Sequence, residues 1–79
     1  MLKIDGFDEA IIGPAMIWRN SAMVDVLVYD AEVIRSILVR RDAMDFEKAR
    51  EYIEFNIEGA YMGEHTPVLV WPHDEWGDE

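Results

Sequence analysis

Residues able to do covalent or acid–base chemistry are few in this chain. Serine occurs only at positions 21 and 36, one in a turn and one in a helical pattern. Neither Ser21 nor Ser36 is flanked by a base that could take its proton, so nucleophilic catalysis has no starting point. The two histidines, His65 and His73, bracket a strand-like segment of about 17 Å and fall at its opposite ends, which leaves no zinc pair. Asp5, Asp8 and Glu9 could offer oxygen to a hard cation, but an EF-hand loop needs a longer ordered set of ligands. Carboxylate pairs such as Glu54 with Glu64 could share general acid–base work. With 17 acidic residues in 79, any one pair is weak evidence. Gly59 and Gly63 match neither the GxGxxG nor the P-loop pattern. The expectation is a protein without catalytic residues, metal or cofactor, in a domain with little volume for an enclosed pocket.

Two constellations stand out instead. The first is the polar group Glu54, Asn56, Tyr61, Gly63, Glu64, His65 and Thr66. Asn56 follows Ala49 by seven residues and Tyr52 by four, which projects it from the face of a helix that should be buried. A buried amide without partners costs roughly 1–3 kcal/mol. Asn56 is therefore expected to hydrogen-bond the backbone of the 59–67 loop, with Gly59 and Gly63 as backbone requirements; a ligand-binding amide is the alternative. The second constellation is Glu47, Glu51, Glu54 and Glu58, whose 4-3-4 spacing lays four carboxylates along one side of a helix over roughly 16 Å. Such a stripe is either a solvated face or a site for a basic partner. Its steps come near the spacing of backbone phosphates, which admits mimicry of DNA.

These residues need elements to position them. Alternation in Met23–Tyr29 puts Val24, Val26 and Val28 on one face of a strand. Ala10–Trp18 is also β-like, but Gly13-Pro14 makes it an edge strand or a bulged one, and Arg19–Ala22 reads as the hairpin loop. Asp30 can cap a helix from Ala31 to about Arg41, with Val33, Ile34, Ile37, Leu38 and Arg41 inward. Asp42 and Asp45 offer a second cap. Phe46, Ala49, Tyr52, Ile53, Asn56, Ile57 and Ala60 recur along a second helix, which closes at Gly59 in a left-handed conformation. Pro67–Trp71 gives a last strand. The predicted fold is α+β, order ββααβ, a three-stranded antiparallel sheet covered on one face by a helical hairpin. Residues 1–72 form one domain and 73–79 an acidic tail.

The net charge is −10, shared unequally. Residues 1–40 carry six acids and four bases, residues 41–79 eleven acids and three bases. That balance disfavours nucleic acid and anionic membranes and favours basic surfaces. The absence of cysteine fits a reducing compartment, and the charged N-terminal segment and the lack of a long apolar run fit a cytoplasmic protein. Nine aromatics are too many for one small core. Of Phe7, Trp18, Phe55, Tyr61, Trp71 and Trp76, some must be exposed: Phe55 points away from the inward stripe, and Trp76 sits in the acidic tail. Exposed aromatics beside charge serve as interface anchors or as a homodimer contact.

Tyr29-Asp30, Arg41-Asp42-x-Met44 and Glu54-Phe55-Asn56-x-x-Gly59-Ala60-Tyr61-x-Gly63-Glu64-x-Thr66-Pro67, preceded by Phe7-Asp8-Glu9-Ala10 and Gly13, resemble a family of short proteins encoded in phage and prophage genomes. The resemblance covers most of the chain. It implies a phage origin, in the cytoplasm of an infected bacterium, and supplies no mechanism. Ala43 stands where similar sequences usually carry glycine, which suggests a looser turn requirement. Small phage accessory proteins often inhibit host machinery or defence, as anti-CRISPR proteins do. The leading expectation is such an inhibitor, binding a basic protein surface through Glu47, Glu51, Glu54, Glu58 and Phe55, with Tyr61, Glu64 and Trp76 adjoining. A homo-oligomeric structural or scaffold protein of the phage is the alternative. A small ligand-binding protein or enzyme, with a closed pocket around Asn56 and Glu64, is the third.

Overall fold

The computed structural model describes residues 1–72; what the sequence suggests for the acidic tail, His73 and Trp76 lies outside the described residues. A 3-10 turn (Asp8–Ala10) leads into β1 (Ile11–Arg19) and β2 (Ala22–Asp30), followed by α1 (Ala31–Asp42), α2 (Phe46–Tyr52), a π-helical segment (Ile53–Glu58) and β3 (Val68–Val70). The class is α+β. Asn20 and Ser21 both have positive φ, 52° and 67°, the two-residue hairpin turn whose twist matches that of the strands. The register shifts between Ile11 and Gly13, so β1 is bulged; it also lies at the sheet edge, the position where a strand tolerates a proline such as Pro14.

The sheet order is β1-β2-β3, with β2 central; β1 is antiparallel to β2, and β3 is parallel to it, Val28 facing Val68 and Asp30 facing Val70. The expected all-antiparallel sheet is thus corrected to a mixed one. Counting one reversal of direction per element predicts an antiparallel β3. The 59–67 loop adds a reversal of its own. It travels to the hairpin turn, where Asn20 meets Glu64 at 3.0 Å, and returns beside β2, where the His65 ring meets the Asp25 carbonyl at 2.7 Å. A parallel pair needs such a long crossover.

Asp30 caps α1 as expected, its Oδ1 accepting from the backbone N–H groups of Glu32 and Val33 at 2.9 and 3.2 Å. Ile34, Ile37 and Leu38 are buried with Tyr29, Phe7, Ala10, Ala49 and Ile53 in one cluster, against which Ile11, Leu27 and Leu69 pack. The helices therefore cover the sheet face of Leu27 and Tyr29. Val24 and Val26 are buried on the opposite face, across from Ile17 and Ala15. Tyr29 is fully buried, and its hydroxyl accepts the Ile4 N–H at 2.8 Å.

Arg41 is exposed rather than inward: it lies over the Phe7 ring at 5.0 Å and donates to the Gly6 carbonyl. The neighbouring Asp42 carboxylate raises its pKa through a side-chain hydrogen bond. The inward arginine is Arg35, 6% exposed. Its Nε donates to the Phe46 carbonyl at 3.1 Å, its guanidinium stacks 3.3 Å from the Phe46 ring centre, and Nη1 faces Glu32 at 3.9 Å. Phe46 and Tyr52, expected inward, are largely exposed.

Ala43 ends α1 in the left-handed conformation, φ 54° and ψ 32°. A left-handed residue is used there, and alanine adopts it at a cost of about 1.5 kcal/mol. Ala43→Gly should raise stability by roughly 0.5–1 kcal/mol after glycine's extra chain entropy, a gain of a few degrees in Tm by thermal melting. A lower Tm would mean that α1 does not end in this way. Gly59, in contrast, is right-handed at φ −79°; the expected left-handed closure is not used there.

Candidate functional site

The second helix does not run as one α-helix to Gly59. It is α-helical to Tyr52 and π-helical from Ile53 to Glu58. The wider i→i+5 turn advances each residue by less than the α-helical angle, and such turns often mark functional sites. Ile53 stays fully buried and Ile57 half-buried, while Asn56 becomes exposed and Phe55 stands 80% exposed. Asn56 is therefore not the buried amide its spacing predicts, and its side chain makes no hydrogen bond among the described residues.

The group that fixes the 59–67 loop is Thr66, buried at 8% exposure. Its hydroxyl accepts the Met62 N–H at 2.7 Å and donates to the Gly63 carbonyl at 2.6 Å. Gly63, φ 103°, supplies the left-handed residue that this turn needs. The loop is then pinned to the hairpin. Arg19 donates to the carbonyls of Gly63 and Glu64 at 3.3 and 2.9 Å and lies 5.7 Å from the Tyr61 ring centre. Since a carbonyl can only accept, Nδ1 of His65 carries the proton in its bond to Asp25. Glu64 is held by Asn20 and does not line the clefts around Asn56.

The acidic stripe divides into two kinds of carboxylate. Glu54 accepts from Arg50 Nε at 3.1 Å, Glu58 accepts from Trp71 Nε1 at 3.3 Å, and the Arg50 guanidinium lies 4.2 Å from the Trp71 ring centre. These four side chains fasten the π-helical segment to the exit of β3. Glu47 and Glu51 have no ion pair or hydrogen bond among the described residues. The evenly charged row becomes two committed acids and two available ones, the available pair flanked by exposed Phe46, Tyr52 and Phe55.

Asn56 sits where a half-open cleft meets a shallower, largely open one. The first, about 280 Å³, has Ile4, Ile57, Met62, Pro67 and Leu69 in its wall. The other, about 350 Å³, is formed by Met44, Lys48, Glu51, Tyr52 and Phe55. Elsewhere, Asp8 and Glu9 pair with Lys3 and Arg40 at 3.3 and 3.1 Å. Among the described residues no three His, Asp or Glu side chains cluster around a point where an ion could sit. No helix among them is long and apolar enough to cross a membrane. A second exposed apolar patch lies on the hairpin, where Trp18 pairs with Met23 beside Met16. Comparison with protein-family models, with curated proteins and with solved structures gives no match to this chain.

Proposed function

We propose that this chain is a small acidic interaction protein that binds and inhibits a protein with a basic surface, in a phage-infected bacterium a host or defence protein. One observation carries the proposal: α2 and the π-helical segment present Phe46, Tyr52 and Phe55 to solvent together with Glu47 and Glu51, which have no cation partner among the described residues. Aromatic anchors supply most of the energy of protein interfaces, and charge at their rim supplies rate and selectivity. The overall charge of −10 steers basic partners toward this face. With only two of the four carboxylates free, partner binding through mixed aromatic and acidic contacts is favoured over mimicry of DNA. Affinity capture from host lysate at low and at moderate salt tests the proposal, since a charge-steered complex weakens as screening rises.

A homo-oligomeric role is supported by a different surface. Trp18, 71% exposed, and Met16 lie on β1, whose outer edge is unpaired, and such an edge is a template for pairing with a second copy. The bulge at Ile12 and the proline at 14 blunt that edge. Light scattering at low micromolar concentration should therefore give the monomer mass of 9.2 kDa. Twice that mass would favour the structural role.

A further inference from the structure

We infer that the two clefts meeting at Asn56 form one site for an extended peptide that carries an apolar residue and an arginine two positions apart. The inference rests on the reading of this face as a protein-binding surface and names the element of the partner that it takes. In an extended chain, residues i and i+2 point to the same side about 7 Å apart, while the backbone between them offers one N–H and one C=O. An asparagine amide has both a donor and an acceptor and can pair with both. Asn56 lines both clefts, and its amide has no partner among the described residues.

The first cleft, walled by Ile4, Ile57, Met62, Pro67 and Leu69, suits an aliphatic side chain. The preference of the second for arginine follows from how the molecule uses its own cations. Phe46, Trp71, Phe7 and Tyr61 each have an arginine over the ring, at 3.3, 4.2, 5.0 and 5.7 Å. The fifth arginine, Arg40, is paired with Glu9. Among the described residues Tyr52 and Phe55 have none, and they share their cleft with Glu51, which has no ion pair or hydrogen bond there. Ring faces and a free carboxylate are the two partners that a guanidinium seeks. Lys48 stands at the same cleft and would compete with an incoming cation.

The test is titration of the full chain, followed by its amide NMR spectrum, with the capped peptides Gly-Leu-Ala-Arg-Gly and Gly-Arg-Ala-Leu-Gly. Controls are Gly-Leu-Arg-Ala-Gly, which breaks the spacing, and Gly-Leu-Ala-Glu-Gly, which reverses the charge. One or both spaced peptides should shift Tyr52, Phe55, Ile57, Met62 and Leu69 together along a single binding curve, and the controls should bind more weakly. Asn56→Ala should weaken binding about tenfold through two lost hydrogen bonds, and Lys48→Ala should tighten it roughly twofold. Equal binding by the controls, shifts confined to one cleft, or indifference to Asn56→Ala would overturn the inference. Lysozyme, a folded basic protein, separates the two levels of the proposal. If it shifts signals near Glu47 and Glu51 in a salt-dependent way while no peptide binds, the peptide site falls and the general function stands. If neither binds, the peptide site falls, and capture from host lysate decides the general function.

Discussion

Arg35→Ala should lower the stability of this protein by about 2–4 kcal/mol, a loss on the order of 15 °C in Tm for a domain of this size. Arg35 is 6% exposed, so its charge depends on what the fold provides: the Phe46 carbonyl at 3.1 Å, the Phe46 ring at 3.3 Å and Glu32 at 3.9 Å. Truncation opens a cavity between α1 and α2 and leaves the Phe46 carbonyl at the start of α2 with its intrahelical donor alone, without the charged one. Arg35→Lys keeps the charge but loses the flat stacking surface and the Nε–H, so it should recover less than half of the loss. Among the described residues every buried side-chain nitrogen and oxygen has a partner, which makes this the most exposed weakness of a small core. Thermal melting that left the Arg35→Ala variant within a degree or two of the parent would contradict the packing described.

Phe55→Ala combined with Glu47→Lys and Glu51→Lys should reduce capture of the basic partner by more than about a hundredfold, with Tm nearly unchanged. Losing an aromatic anchor from an interface centre costs about 2 kcal/mol or more, and each reversed rim charge adds a smaller, salt-dependent part. The fold should tolerate all three changes because Phe55 is 80% exposed and the two acids have no partner among the described residues. Glu54 and Glu58 are poor choices for this purpose. Reversing them would break the contacts to Arg50 and Trp71, and weaker capture could then reflect a displaced π-helical segment. Full retention of binding by the triple variant, checked by calorimetry against the purified partner, would rule out this face.

The parts of the fold that depend on local chemistry were readable from the residues. Asp30 as a cap, the hairpin turn at Asn20 and Ser21, the bulged edge strand and Phe55 outside the core all follow from side-chain type and spacing. What the sequence concealed was set by non-local contacts. The direction of β3 depends on how far the 59–67 loop travels before it turns, and that distance is fixed by Arg19, Asn20 and Asp25, some forty residues earlier. A helical period carried through Ile53–Glu58 placed Asn56 in the core, because nothing in that stretch announces the change to i→i+5 turns. The buried arginine was misplaced by six residues, Arg35 for Arg41, since the aliphatic period alone cannot tell which cation finds a carbonyl and a ring. At the site, the four glutamates were visible as a row, but not that Arg50 and Trp71 commit two of them.

Hydrogen–deuterium exchange of the chain, alone and bound to a basic protein that it captures from bacterial lysate, tests the proposed interaction most directly. Protection should rise across Phe46–Ile57, where the free carboxylates, Tyr52, Phe55 and Asn56 lie, and remain unchanged over Met16–Met23. Protection centred on the Met16–Met23 hairpin, with α2 and the π-helical segment unaffected, would contradict it.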